Sequence, residues 1–429
     1  MSPSRSRRLV SVAFACLAGV LTQSSDGYAS GGVPLQDSQY LSTARYDFRV
    51  VGQTVEEGPF QVALDHRSHL WFINRFDGTL YNLPMGTYMQ GASPGTSRLL
   101  TARFHGNLFT SLGIDRRDSN VPVVMDLHIS GETAFASLVH WPTTKLADRN
   151  DCYQFLVVAF PLGVVGKKTV QRLFTTPCMR NVSGGGANYG GRITDNDRFL
   201  YVSIGDVRYD RSGYPNEDPD SVREQASPHS VFGSVVRVDL SSSPRTWTVI
   251  SRGHRNPQGL TTDGKRLYLT EHGAQGGDEL NSIVEGRNYG WPFRHFGKPY
   301  PVDEDVIGTA LDSSRNPSRG VDRDLEEFGA RSGSHSGVFP PVMSWTPALG
   351  VGNVKIISDR STLVDWRRNL IVAGMKQMSI HRLILHGDRV IHDETIYIGN
   401  RIRDFEVTNF GWLIMATDDG ALLVLMPTG

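Results

Sequence analysis

Cysteine is nearly absent from this chain, with three in 429 residues, at positions 16, 152 and 178. There is no CxxC pair and no histidine-cysteine cluster, which excludes a thioredoxin-like redox motif and a zinc ribbon. Charge of one sign is missing too: 44 Lys plus Arg balance 44 Asp plus Glu. Without a net positive field, nucleic acid and anionic lipid are poor partners. The apolar run Leu9–Leu21 falls short of the ~20 residues that span a bilayer. Helical periodicity between strand-like segments is also lacking, which argues against a parallel α/β fold.

What is present is a loop-rich globular composition, 39% hydrophobic with 45 Gly and 22 Pro, long enough for one large domain. Arg5, Arg7 and Arg8 precede the apolar run, and a polar stretch then ends at Gly27-Tyr28-Ala29. That is the plan of a secretory leader. Residues 1–29 are therefore expected to be removed and residues 30–429 to fold as a single domain in a periplasmic or secreted setting. In an oxidising compartment, Cys152 and Cys178 either close one disulfide loop or remain thiols.

Beyond residue 45 one phrase keeps returning: a polar turn, four to six apolar, aromatic or β-branched residues, then Gly or Asp and a second strand. It occurs at Ser68–Ile73, Asp197–Asp206, Gly264–Thr270, Arg368–Gly374 and Gly411–Ala416. Repeated hairpins at multiples of a four-stranded unit predict an all-β chain, and a β-propeller is the natural architecture. The stretch 303–337 is polar, Gly/Ser-rich and unperiodic, so a long surface loop is expected there.

Three stretches are too polar and glycine-rich for core. They are Arg252–Leu260 (RGHRNPQGL), Thr270–Pro292 (TEHGAQGGDELNSIVEGRNYGWP), and the cations Lys376, Arg401 and Arg403 at strand ends. Cations gathered from distant parts of the chain suit a small polyanion, because Arg presents a planar fork to carboxylates and Lys a point charge.

The phrases GHRNPQGL and TEHGAQGGDELNSIVEGRNYGWP, with GGRI at 190–193, LYVSIGD at 200–206, FGSVVRVDL at 232–240 and RIR at 401–403, occur in the order found in a known family. The chain resembles the soluble quinoprotein glucose, aldose and sorbosone dehydrogenases. The resemblance implies a six-bladed β-propeller with four-stranded antiparallel blades. It further implies pyrroloquinoline quinone (PQQ) and calcium as cofactors, a sugar or other alcohol as substrate, and an external electron acceptor.

Carried over by position, Arg255 and Asn256 face the quinone, His272 and Asp278 line it, and the carbonyls of Gly273 and Ala274 hold calcium. Lys376, Arg401 and Arg403 pair with its carboxylates, and Trp345 falls near a rim aromatic. The family's base is a histidine four residues before the Arg of its Gly-Arg motif. Here that arginine is Arg192 and the position is Asn188, preceded by Ala187. Asparagine cannot take a proton, and a positioned base contributes roughly 10²–10⁴-fold, so slow turnover is expected.

His272 and His105 are the candidate substitutes, neither compelling. Alternative readings are a non-catalytic propeller binding a cofactor, carbohydrate or protein, and a calcium-dependent lactonase. The cationic set and the carbonyl-rich calcium phrase disfavour the lactonase.

Overall fold

In the computed structural model the described residues are 41–50, 59–90, 97–114, 122–141, 152–177, 179–180, 188–206, 230–273, 276–291, 294–297, 331–332 and 337–427. The expected leader 1–29, Ala187, Ala274, Cys178 and nearly all of the stretch 303–337 lie outside them, as does the side chain of Cys152.

The strands form six antiparallel blades around an axis. Blade 1 comprises Phe60–Leu64, Leu70–Asn74, Thr79–Leu83 and Ser97–Asn107. Blade 2 comprises Val123–Ser130, Thr133–His140, Cys152–Pro161 and Gln171–Thr175. Blade 3 comprises Gly190–Asp195, Phe199–Ile204, Ser234–Asp239 and Thr246–Arg252. Blade 4 is built from Asn256–Thr262, Leu267–His272, Asp278–Ile283 and Met343–Trp345. Blade 5 is Val351–Ile356, Leu370–Gly374, Ser379–His386 and Arg389–Tyr397.

Blade 6 takes three strands from the C-terminal end, Ile402–Val407, Leu413–Thr417 and Leu422–Pro427, and its fourth from the N-terminal side, Leu41–Val50. That fourth strand runs antiparallel to Leu422–Pro427 and parallel to the outer strand of blade 1. One strand therefore seams blade 6 to blade 1 and closes the ring. The repeated phrase read from the sequence is the second strand of blades 1, 3, 4, 5 and 6, where apolar side chains face neighbours on both sides.

Packing confirms the count. Each of six buried apolar clusters sits between one pair of adjacent blades. Phe135, Phe155, Ile193 and Val236 lie between blades 2 and 3, for example, and Phe60, Phe72, Ile414 and Val424 between blades 6 and 1. Burying each such side chain contributes about 1.5–3 kcal/mol, so every interface is needed to hold the ring.

The axis is closed by polar groups. Arg192, on the inner strand of blade 3, donates from Nη1 to Gln61 Oε1 (2.8 Å), Asp126 Oδ1 (2.9 Å) and Asp404 Oδ1 (3.0 Å). Its Nε donates to the Gln258 carbonyl (2.7 Å) and its Nη2 to the Arg403 carbonyl (3.1 Å). Asn353 adds blade 5 by donating to Asp404 Oδ1 at 2.7 Å. One guanidinium and its carboxylates thus tie all six inner strands. Among the described residues no helix is long and apolar enough to cross a membrane.

Candidate active site

The predicted site residues gather at one end of the ring, where the inner strands begin. Gly253 starts the approach with φ 79°, and a Cβ there would lie 2.2 Å from Asn288 Oδ1, so only glycine lets the chain pass. His254 is fully buried, its Nε2 2.9 Å from Ser251 Oγ and its Nδ1 2.9 Å from Glu271 Oε1. A serine-histidine-glutamate order could suit a hydrolase, but this one is sealed in the wall. What it does is aim Glu271 Oε2 at the backbone N–H of Arg255, which donates at 2.6 Å.

Arg255 is held along its length. Its Nη1 donates to the carbonyls of Gly273 (2.9 Å) and His272 (3.3 Å), and its guanidinium lies 5.3 Å from the centre of the Trp291 ring. Asn256 pairs in register with His272, and its Oδ1 accepts from Gln258 Nε2 at 2.8 Å. His272 Nε2 is 2.7 Å from the Val351 carbonyl and must donate to it, which leaves Nδ1 as the acceptor, 3.5 Å from Asn256 Nδ2. Burial pushes this imidazole below its ordinary value. With its lone pair turned to Asn256, His272 is part of the wall and a poor base. His105 lies away from this end, between blades 1 and 2, with Nε2 3.0 Å from Asn82 Oδ1 and its ring 4.6 Å from Trp71.

Asp278 accepts the backbone N–H of Gly273 (3.0 Å) on one oxygen and those of Gly350 (2.8 Å) and Val351 (3.1 Å) on the other. Three backbone donors make it a staple between blades 4 and 5. Lys376 is exposed just beyond Leu370–Gly374, its N–H donating to Leu349. Arg401 and Arg403 share Asp418, at 2.7 and 2.6 Å. Trp345 is in register with Asp278, but its ring is buried in the blade 4–5 core, and its indole N–H donates to Asp393 Oδ2 at 3.0 Å.

Several members of the site went unassigned in the sequence. Arg75 follows the second strand of blade 1 directly, its Nε donating to the Val124 carbonyl at 3.1 Å. Burial, then the charges of Arg403 and Arg192, push its guanidinium down to about 9, so it stays cationic at neutral pH and adds to a positive mouth. Asp206, inside the phrase LYVSIGD, is fully buried. Its Oδ1 accepts Asn188 Nδ2 at 3.0 Å, its Oδ2 accepts Trp291 Nε1 at 2.6 Å, and its N–H donates to the Arg255 carbonyl at 2.8 Å.

Burial raises the Asp206 carboxyl to about 7, with Arg255 pulling the other way. The unfolded chain releases this proton near pH 4, so the group's contribution to stability falls as pH rises from about 4 to about 7 and stays low above that. Asp206→Asn should therefore be the more stable protein at pH 8, by roughly 2–4 kcal/mol, with the gap closing towards pH 4.5. Urea unfolding at both pH values checks this; a pH-independent difference would refute it.

The Gly273 carbonyl accepts from Arg255 Nη1 and keeps a second lone pair with which it could ligate a cation, while Ala274, its expected partner, lies outside the described residues. No group of three His, Cys, Asp or Glu residues that could hold a metal occurs among the described residues, so calcium, which takes six to eight oxygens, would draw on carbonyls and water there. A small anion would meet Arg75 and Arg403, close enough to repel each other, Arg401 and Arg403 sharing Asp418, and Arg255 and Lys376 at strand ends on the same side of the ring.

Residues 161–424 match the family model for glucose / sorbosone dehydrogenase. The chain belongs to that family. Among curated relatives, an uncharacterised protein of Synechocystis sp. is 32% identical over 265 residues, 56% of this chain and 56% of that protein. The aldose sugar dehydrogenase of Escherichia coli is 26% identical over 251 residues, 56% of this chain and 61% of that one. Quinoprotein glucose dehydrogenase B of Acinetobacter calcoaceticus is 35% identical over 120 residues, 24% of this chain and 25% of that one. The chain thus matches between a quarter and about three fifths of the length of these curated members.

Among solved structures, the apo form of the E. coli aldose sugar dehydrogenase superposes with a TM-score of 0.61 at 20% identity, covering 90% of this chain and all of that one. The PQQ-bound aldose sugar dehydrogenase of Streptomyces coelicolor gives 0.54 at 19% identity, covering 90% and 98%. At such identities these likenesses speak to the fold, the six-bladed propeller expected of a glucose/sorbosone dehydrogenase family member.

Proposed function

We propose that this family member is an exported oxidoreductase that seats pyrroloquinoline quinone between blades 4, 5 and 6 and oxidises a sugar or another alcohol, with turnover limited at Asn188. The observation that carries this reading is the gathering of Arg255, Lys376, Arg401 and Arg403 from three blades at one end of the ring. The relatives' names, aldose sugar and glucose dehydrogenase, fit a polyhydroxylated substrate. The proposal takes 30–429 as one exported domain, with residues 1–29 as its leader.

When bound, the quinone supplies a two-electron acceptor. That acceptor would take a hydride from a substrate carbon and pass the electrons to an external acceptor, while Asn188, which hydrogen-bonds but does not retain a proton, would leave the hydroxyl proton to water. Arg255 would hold the acceptor side of the quinone, while Lys376, Arg401 and Arg403 pair with its carboxylates. Asp278 and His272 keep the wall between blades 4 and 5 in shape. Calcium ligation by Gly273 and Ala274, which the resemblance implies, would use the second lone pair of the Gly273 carbonyl, and no step here is routed through the ion.

The pairing of Asn188 with Asp206 favours a second reading, a propeller that keeps the pocket as a binding module without turnover. Bound-quinone absorbance and a dye-linked screen across aldoses and alcohols, with and without quinone and calcium, separate the two. Arg403→Ala should weaken quinone binding about tenfold, the loss of one charge-assisted pair. Lys376→Ala and Arg401→Ala should each cost less, since both side chains are exposed to solvent. Unchanged binding in all three variants would remove these residues as anchors.

A further inference from the structure

Arg75 is the one mouth cation named above to which the proposed quinone seat gives no role. Its backbone N–H donates to the Pro59 carbonyl and its own carbonyl accepts from the Val124 N–H at 2.8 Å, while its Nε returns to the Val124 carbonyl at 3.1 Å. Nη2 adds a contact of 3.7 Å to Met125 Sδ. The residue is thus clamped across the starts of the inner strands of blades 1 and 2, in the half of the ring away from the anchors of blades 4 and 5. The turn that carries it is pinned as well. Asn74 Oδ1 accepts the N–H groups of Phe76 (2.9 Å) and Asp77 (3.1 Å), and Asn107 Nδ2 donates to the Asp77 carbonyl at 2.7 Å.

This guanidinium has no carboxylate of its own among the described residues. Asp404 and Asp418 are near enough to attract it, but Asp404 is taken by Arg192, Asn353 and the Val62 N–H, and Asp418 by Arg401 and Arg403. Arg403 and Arg192 repel it. Nη1, which has no partner among the described residues, stays open to solvent. Beside it the Phe76 ring, 39% exposed and 6.0 Å from the guanidinium carbon, offers an apolar face.

We propose that Arg75 reads an anionic group on the substrate, so that the ligand oxidised at this mouth is an acidic sugar, carrying a carboxylate or a phosphate, rather than a neutral aldose. An acidic sugar would set its anion on the planar fork of Arg75 and its C–H groups on Phe76, whereas a neutral aldose leaves the cation unpaired. The carboxylates of the quinone are assigned to Lys376, Arg401 and Arg403, which leaves Arg75 to the substrate. This inference rests on the proposed oxidation of a sugar at this mouth.

The test compares D-glucose, D-glucuronate and D-glucose 6-phosphate by initial rates of dye reduction, using the full chain loaded with PQQ and calcium. In wild type, kcat/KM for one or both acids should exceed that for D-glucose about tenfold, the worth of one charge-assisted pair, and the preferred acid tells carboxylate from phosphate. Arg75→Gln should bring the ratio to about one, and Arg75→Lys should keep only part of it, since a point charge replaces the fork. A wild type that takes D-glucose as well as the acids overturns the inference whatever the variants do, and so does Arg75→Gln with the wild-type ratio. If Arg75→Gln fails to fold, a wild-type ratio in Arg75→Lys overturns it instead. Loss of bound-quinone absorbance in Arg75→Gln with the ratio intact makes Arg75 a quinone anchor and overturns the substrate assignment. Calorimetric titration of the full chain with each acid, without dye, separates this inference from the reading beneath it. Arg75-dependent binding without turnover of any sugar overturns the oxidoreductase reading alone. Turnover of D-glucose with no binding of either acid overturns the inference alone.

Discussion

Asn188→His is expected to raise dye-linked aldose oxidation by one to three orders of magnitude. The acceptor side of the proposed reaction has its fixed cation in Arg255, held by Glu271, Trp291 and two carbonyls. The donor side lacks a group that keeps the hydroxyl proton. An imidazole at position 188 would take Asp206 as its ready-made partner, because the carboxylate already accepts a hydrogen bond from that side chain at 3.0 Å. A carboxylate so placed fixes the tautomer and raises basicity, and a positioned base supplies roughly 10²–10⁴-fold. The check is initial rates of dye reduction with the quinone-loaded variant and wild type across aldoses. Equal rates with equal quinone binding would clear Asn188 of limiting the reaction.

The second large effect concerns the axis. Arg192→Met should cost about 3–5 kcal/mol, as expected for leaving a buried ion partner uncompensated. That is a large share of the 5–15 kcal/mol typical of a folded domain. Asp126 and Asp404 would then face each other across the ring without the guanidinium, supported by the peptide donors Ile193 and Val62 and by the Asn353 amide on Asp404. Burial already raises the Asp126 carboxyl while Arg192 opposes the shift. Removing Arg192 raises it further, so the loss should be greater at pH 8 than at pH 5, where a proton relieves the charge. Denaturant midpoints at the two pH values measure this, and an unchanged midpoint at pH 8 would show that the blade interfaces alone hold the ring.

The sequence reveals the fold where the signal is local. Second strands announce themselves because both faces are buried, giving runs such as Leu70–Asn74 and Leu413–Thr417. Blade 2 escaped because Thr133–His140 carries Ala134 and Ala136 where other blades have bulkier residues, small side chains that the blade 1–2 core accommodates. The site is visible as glycine-rich polar phrases around 253–260 and 270–292, since tight backbone passages such as Gly253 leave a compositional mark. Arg75 and Asp418 leave none: a single charge after a strand reads like any solvated end until the fold sets it beside Arg403. Asp206 lies within a recognised phrase, but the indole that donates to its second oxygen belongs to Trp291, 85 residues away. The resemblance puts Trp345 near the rim, whereas its ring lies in the blade 4–5 core, in register with Asp278.

The strand Leu41–Val50 gives the molecule an unusual handle. Leu41 stands opposite Pro427, so a short hairpin turn could splice the two ends while new termini are cut in a loop between other blades. The latch now formed by the most distant parts of the chain would become a neighbouring-residue contact, and such a circular permutant should assemble faster, as contact-order arguments require.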